Sequence, residues 1–150
     1  MATTLKVGDK APVFKAKNEN GKTLSLTDYK GKKLVLYFYP KDDTPGCTAE
    51  ACDLRDNYQT FLAQGFEVLG VSPDNQAKHQ KFIAKHELPF SLLADEDNAV
   101  ATAYGTWGQK SMYGKTYMGI IRTTFVIDEN GKIENIIEKV DTKNHSAQII

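Results

Sequence analysis

In "KLVLYFY", residues 33–39, consecutive apolar and aromatic positions run up to Pro40, the pattern of a central strand buried on both faces. "FEVLGVS" at 66–72 repeats that pattern and predicts a second buried strand. Between the two the period becomes helical. From Thr48 onward Ala51, Leu54, Tyr58, Phe61 and Leu62 recur at spacings of three and four, and Gly65 is a natural stop. "PDNQAKHQKFIAKH" predicts a second helix, with Ser72 or Asp74 near its cap, ending before "LPF". "FSLLAD" then reads as a short strand and "EDNAVATAYG" as a short helix. From Trp107 to Gly119 the chain is polar, Gly-bearing and irregular, which predicts a loop. Two Asn-Gly pairs mark tight hairpins, in "NENG" between "PVFKAK" and "KTLSL" and in "ENG" between "IIRTTFVID" and "KIENIIEKV". A last helical turn is expected in "TKNHSAQII".

Strand, helix, strand, helix and hairpin in this order describe an α/β sandwich with a sheet of mixed polarity. A thioredoxin-like sheet is the commonest small fold of that order, and other α/β folds share it. No repeat, low-complexity tract or linker interrupts the 150 residues, so one domain over residues 1–150 is expected. Nineteen basic residues offset nineteen acidic ones, which removes any electrostatic argument for a nucleic acid or an acidic membrane surface as partner. The opening "MATTLKVGDKAPVF" lacks the apolar core of a signal peptide, and no apolar run approaches membrane-spanning length. A cytoplasmic protein is the expectation. In that compartment a close pair of cysteines is more often redox-active or metal-binding than a structural staple.

Both cysteines lie in "YFYPKDDTPGCTAEAC", residues 37–52, where the first strand gives way to the first helix. A thiol at Cys47, in the first helical turn, faces unpaired backbone N–H groups and the positive end of the helix dipole, and both favour the thiolate. The Thr44 hydroxyl can donate to that sulfur or to an incoming oxygen. Pro40 and Pro45 stiffen the loop and, lacking N–H groups, present apolar ring faces near the sulfur. Cys52 follows five residues later. In one regular helix the two α-carbons would be ~8.6 Å apart, beyond the ~7 Å limit for a disulfide. Either the pair never bonds or the first turns unwind when it does. Packing remains an open reading for Cys52, since a helical cysteine usually does no more than that. The scattered His79, His86 and His145 do not complete a zinc-ligand spacing with the two cysteines, and the C-x-x-C of a thioredoxin-type oxidoreductase is absent.

"PKDDTPGC" matches the P-x-x-x-T-x-x-C signature of peroxiredoxins at Pro40, Thr44 and Cys47. The continuation "TAEAC" resembles the Q-type subfamily, also called bacterioferritin comigratory proteins, whose second cysteine can lie five residues on. "VGDKAPVF" is similar to the family's opening segment, and "GIIRTTFVIDENGKI" to the late strand that supplies its active-site arginine, here Arg122.

The resemblance implies a thioredoxin fold with an N-terminal β-hairpin extension and thiol-dependent reduction of hydrogen peroxide and organic hydroperoxides. Cys47 would be the peroxidatic nucleophile and Cys52 the resolving thiol. Arg122, Thr44 and the N–H groups of Gly46 and Cys47 would meet the charge that builds on the leaving oxygen. Glu50 would orient Arg122, and Pro40 would shield the sulfur from bulk water. Thioredoxin or a similar dithiol protein is the implied reductant, with no prosthetic group or metal, and a monomer suffices. The alternatives are a protein thiol–disulfide reductase, or a redox sensor or holdase-type module in which unwinding exposes Leu54, Tyr58 and Phe61. The three histidines read as solvated, Asp42 and Asp43 as solvated turn residues. Trp107, Met112, Tyr113, Tyr117 and Met118 read as anchors of the predicted loop or as an exposed patch.

Overall fold

The computed structural model describes residues 3–150; Met1 and Ala2, part of the segment read above for a leader, and the side chain of Met112 lie outside the described residues. A five-stranded mixed sheet forms the centre, in the order β5-β4-β3-β8-β9. Its middle strand is β3 (Lys33–Phe38), parallel to β4 (Phe66–Ser72), which in turn runs parallel to β5 (Ser91–Ala94). On the other side β8 (Thr123–Ile127) pairs antiparallel with β3, and β9 (Ile133–Ile137) antiparallel with β8.

The side-chain alternation of β3 divides the core in two. Leu34, Leu36 and Phe38 face a cluster containing Phe14, Leu69, Tyr104 and Phe125. Val35, Tyr37 and Tyr39 face a second cluster containing Leu54, Phe61, Phe82 and Leu92. The N-terminal hairpin, β1 (Lys15–Lys17) with β2 (Thr23–Ser25), leads into the first layer, which also takes α4 (Ala99–Ala103). The second layer is made by α1 (Pro45–Asp56), α2 (Tyr58–Ala63), α3 (Gln76–His86) and α5 (His145–Ile149). Cys47 belongs to this second layer.

Three expectations need correction. The helix expected from Thr48 to Gly65 starts earlier, at Pro45, and breaks at Asn57, whose side-chain amide donates to the Asp53 carbonyl at 2.9 Å and ends α1. That break turns Leu62 outward, 39% exposed. Of the two residues expected near the cap of α3, Asp74 adjoins it and Ser72 does not; the cap itself is Asn75, which accepts from the Lys78 N–H at 2.9 Å. Finally, residues 107–119 are not a loop but the larger part of a β-hairpin, β6 (Trp107–Met112) with β7 (Lys115–Ile120). Its two-residue turn puts Tyr113 at φ 52° and Gly114 at φ 78°, the left-handed pair that a tight hairpin requires. The hairpin escapes a hydrophobicity reading because its pairs stand largely in solvent: Tyr113 is 97% exposed and Met118 53%.

Tyr37 is fully buried only because the neighbouring strand carries glycine opposite it. Tyr37 is in register with Gly70, and a β-carbon there would lie 2.9 Å from Tyr37 Cζ and 2.6 Å from Leu92 Cδ2. Gly70→Ala should therefore destabilise the fold by about 2 kcal/mol and lower Tm by roughly 4–8 °C. An unchanged Tm in thermal denaturation would mean that the Tyr37 ring has room to move aside.

Candidate active site

β3 delivers the chain to Pro40 just past the C-terminal end of the sheet's middle strand, and the short loop that follows is pinned before α1 begins. The Tyr39 hydroxyl donates to Asp42 Oδ1 at 2.6 Å, Asp42 Oδ2 lies 2.6 Å from His79 Nδ1, and His79 Nε2 donates to the Leu93 carbonyl at 2.8 Å. The Asp42 N–H donates to Asp74 Oδ2 at 2.7 Å. Asp42 and His79 are thus buried partners rather than solvated residues. The Asp42 carboxylate holds the His79 imidazole above its usual range, against the opposing effect of burial. Asp43, with φ 61°, is exposed, and it pairs with Lys85 at 2.8 Å and His86 at 3.2 Å. The loop is thereby tied to α3 at two successive positions.

Thr44 is the N-cap of α1 and Pro45 its first residue, a position where the missing proline N–H costs nothing. Cys47 follows in the first turn and is buried, 2% exposed. Arg122, in the short link between β7 and β8, reaches over this turn. Its Nη2 donates to Cys47 Sγ at 3.2 Å and its Nη1 to Glu50 Oε1 at 2.6 Å. One guanidinium therefore bridges a thiol and a carboxylate one helical turn apart. Gly46 makes the approach possible, since a β-carbon there would lie 3.3 Å from Arg122 Nη2.

The predicted set converges, with one difference. Cys47, Gly46, Glu50 and Arg122 come together, but the Thr44 hydroxyl donates to the Lys41 carbonyl at 2.9 Å rather than to the sulfur. Its hydrogen is committed, so its oxygen is left as an acceptor. Pro40 is half-buried at the end of β3. Cys52 is half-buried in the same unbroken α1, and both thiols are free.

Glu50 is fully buried, and its second oxygen, Oε2, has no hydrogen-bond partner among the described residues. Burial pushes this carboxyl up to about 7, against the pull of Arg122. Arg122 is itself held above its usual range: burial works against its charge, and Glu50 and then Cys47 favour it. Two further residues were not visible in the sequence as parts of the site. His145, read as solvated, is fully buried on α5, its Nε2 3.4 Å from Glu50 Oε2 and 2.7 Å from Thr124 Oγ1 on β8. Alternation from Arg122 to Thr124 could have placed the threonine on the site's side of the strand. Nothing local could have placed His145, whose partners are remote in sequence. The β6–β7 hairpin adds Lys110, half-buried, whose Nζ donates to the Ile120 carbonyl at 2.8 Å; burial and then Arg122 lower its ammonium below the usual lysine range.

Residues 7–136 match the model of the AhpC/TSA family. The chain is 50% identical over 147 residues to peroxiredoxin Bcp of Bacillus subtilis, covering 98% of this chain and 94% of the relative. It is 48% identical over 146 residues to peroxiredoxin Bcp of Escherichia coli, covering 97% and 94% respectively. Among solved structures, PrxQ of Xylella fastidiosa superposes with a TM-score of 0.92 at 30% identity, covering 99% of this chain and 94% of that one. The bacterioferritin comigratory protein of Xanthomonas campestris, described for its alkyl peroxide reduction activity, superposes with a TM-score of 0.86 at 33% identity, covering 98% and 94%.

The raised Glu50 carboxyl makes a stability test with a definite sign. A carboxyl whose folded value lies above its ordinary 4.5 stabilises the fold fully below pH 4.5, and that contribution is lost as pH rises through about 7. Glu50→Gln removes the titrating group. The variant's Tm, relative to wild type, should therefore improve steadily from pH 5 to pH 8 in paired melts of the reduced proteins. A constant difference would show that Glu50 stays ionised throughout.

Buried thiol, bridging arginine, mixed sheet and full-length similarity agree: the chain belongs to the AhpC/TSA family, with a thioredoxin-like fold, in its Bcp or Q-type peroxiredoxin branch.

Proposed function

We propose that this thiol peroxidase reduces hydrogen peroxide and organic hydroperoxides through Cys47, with Cys52 as the resolving thiol. The observation that carries the assignment is the 3.2 Å contact from Arg122 to a sulfur that is buried at a helix start. A buried thiolate needs a fixed counter-charge, and a guanidinium supplies one without itself titrating.

In the first step the Cys47 thiolate attacks one peroxide oxygen and the O–O bond breaks, leaving Cys47 sulfenic acid and an alkoxide or hydroxide that takes up a proton. Charge develops on the leaving oxygen, and the nearest fixed donors are Arg122 and the N–H groups of Gly46 and Cys47, unpaired at the start of α1. The Thr44 oxygen, its own hydrogen committed to Lys41, is suited to accept from the hydroperoxide O–H. In the second step the Cys52 thiol attacks the sulfenic sulfur, a disulfide forms and water leaves. Because α1 runs unbroken from Pro45 to Asp56, this step requires its first turns to unwind. A dithiol protein such as thioredoxin then returns both cysteines to thiols. Both sulfurs lie in one chain, so a monomer in the cytosol is sufficient.

The test is single-turnover oxidation of reduced protein by one equivalent of hydrogen peroxide, read by peptide mass spectrometry. Wild type should yield a Cys47–Cys52 disulfide, and Cys52→Ser a trapped Cys47 sulfenic acid. Arg122→Met should slow the oxidation by roughly 10²–10³-fold. Oxidation no faster than that of a free thiol, or landing first on Cys52, sinks the assignment. Absence of repeated turnover with a dithiol reductant would leave a one-shot sensor.

A further inference from the structure

The orientation of Gln148 settles which nitrogen of His145 carries a proton. Gln148 Nε2 donates to the Lys139 carbonyl at 2.9 Å, so Oε1 is its acceptor end, and it receives the Asp141 N–H at 2.9 Å and His145 Nδ1 at 2.7 Å. His145 is therefore protonated on Nδ1, and in a neutral ring Nε2 is a bare lone pair. That lone pair is directed at the Thr124 hydroxyl, 2.7 Å away, with Glu50 Oε2 beside it at 3.4 Å. Were Glu50 ionised and His145 neutral, a fully buried carboxylate oxygen would have no donor at all, an expensive arrangement. One more proton, on either Oε2 or Nε2, removes the conflict.

We infer that Glu50 and His145 hold one shared proton, and that His145 is a positioning residue which, through Glu50, decides how strongly Arg122 is available to the Cys47 sulfur. The role, though not the shared proton, rests on the peroxidase reading. With the proton in place the pair is neutral overall, and the charge of Arg122 is balanced by the Cys47 thiolate alone. Loss of the proton leaves an ionised Glu50 competing for the same guanidinium from the opposite end. The thiolate is then disfavoured and its attack slows.

Burial acts on the two groups in opposite senses, raising Glu50 to about 7 and lowering His145, and in each case it favours the uncharged form. The other groups that face the pair act in a known sense. Arg122, beside β8, favours an ionised Glu50 and a neutral His145, and Asp53 on α1 does the reverse for both. Asp53 is partly satisfied by the Ser146 N–H at 2.7 Å. Asp141, in the turn before α5, favours a charged His145. Tyr37 on β3 lies within the influence of Glu50 and Cys47; burial and those charges raise its phenol well above the usual range, so it stays neutral. Lys110 faces Arg122 and Cys47 rather than the pair.

Two measurements test the inference. The first is the pH dependence of the rate constant for oxidation by hydrogen peroxide, from competition with a haem peroxidase. Wild type should rise from acid pH and then fall on the alkaline side as the pair loses its proton. In His145→Gln, which keeps a hydrogen-bonding side chain but cannot share a proton, the alkaline limb should move about one pH unit lower. The rate at pH 8 would then drop about tenfold, and far less at pH 6. Glu50→Gln should be slower throughout and lack the alkaline limb. A loss in His145→Gln that is equal at every pH, or no loss, overturns the positioning role. The second measurement is ¹⁵N NMR of the His145 ring in reduced wild-type protein, which needs neither a folded variant nor turnover. Nδ1 should remain protonated while Nε2 shifts across neutral pH as the shared proton leaves. An Nε2 signal that does not move at all between pH 5 and 9 overturns the shared proton itself.

Discussion

A thiol and a carboxyl, both buried, meet one permanent positive charge, a single guanidinium. Arg122 reaches the buried Cys47 thiol with one nitrogen and the fully buried Glu50 carboxyl with the other. Neither group could be kept ionised in this layer alone, because the desolvation of an unpaired charge outweighs what packing returns. The planar fork of arginine serves two acceptors at fixed angles, which a lysine ammonium would not do. Gly46 lacks a side chain where the fork crosses the helix, and the β7–β8 link places the arginine opposite the start of α1.

The same contact restrains the chemistry that must follow it. Glu50 lies between Cys47 and Cys52 on α1, so unwinding far enough to join the sulfurs also removes Glu50 from Arg122. In the proposed cycle the ion pair would favour the reduced, helical state over the disulfide-bonded one. Against it stands a weakly secured helix start. Thr44 caps with backbone only, its hydroxyl being turned to Lys41. Farther along, Ala51 and Leu54 are fully buried against the sheet and Asn57 ends the helix. In the proposed cycle the turns from Cys47 to Cys52 would melt, which exposes Ala51 and breaks the Arg122–Glu50 pair. The loop ahead of them stays anchored through Asp42 and His79, so the chain has a fixed point from which to reorganise.

Buried polar groups in this protein cluster where elements distant in sequence meet. Asp42 with His79 joins the cysteine loop to α3 and β5, and Glu50 with His145 and Thr124 joins α1 to α5 and β8. Each histidine has one nitrogen committed to a carbonyl-type oxygen and the other turned toward a carboxylate. Such pairs specify how elements seat against one another more than they add stability. One of them also puts a carboxyl pushed up to about 7, Glu50, one helical turn from Cys47.

The sequence by itself determined the parts governed by short-range pattern. The continuous apolar run of β3, the proline and threonine before Cys47, the helical spacing that sets Glu50 one turn from Cys47, and the Asn-Gly turns are local facts, and the structure keeps them. The incompatibility of an intact helix with a Cys47–Cys52 bond was likewise legible, from rise and rotation alone. Tertiary structure decided what depends on a remote partner. A histidine in polar text looks solvated until Asp42 or Glu50 is brought to it from another element. A hairpin whose residues face water carries no hydrophobic period, so β6 and β7 became visible only through their backbone pairing. The hydroxyl of Thr44 found a nearer acceptor in Lys41 than the sulfur it was read as serving. Hydrophobic periodicity records which side of an element meets the core; it holds no record of which polar group waits on the other side.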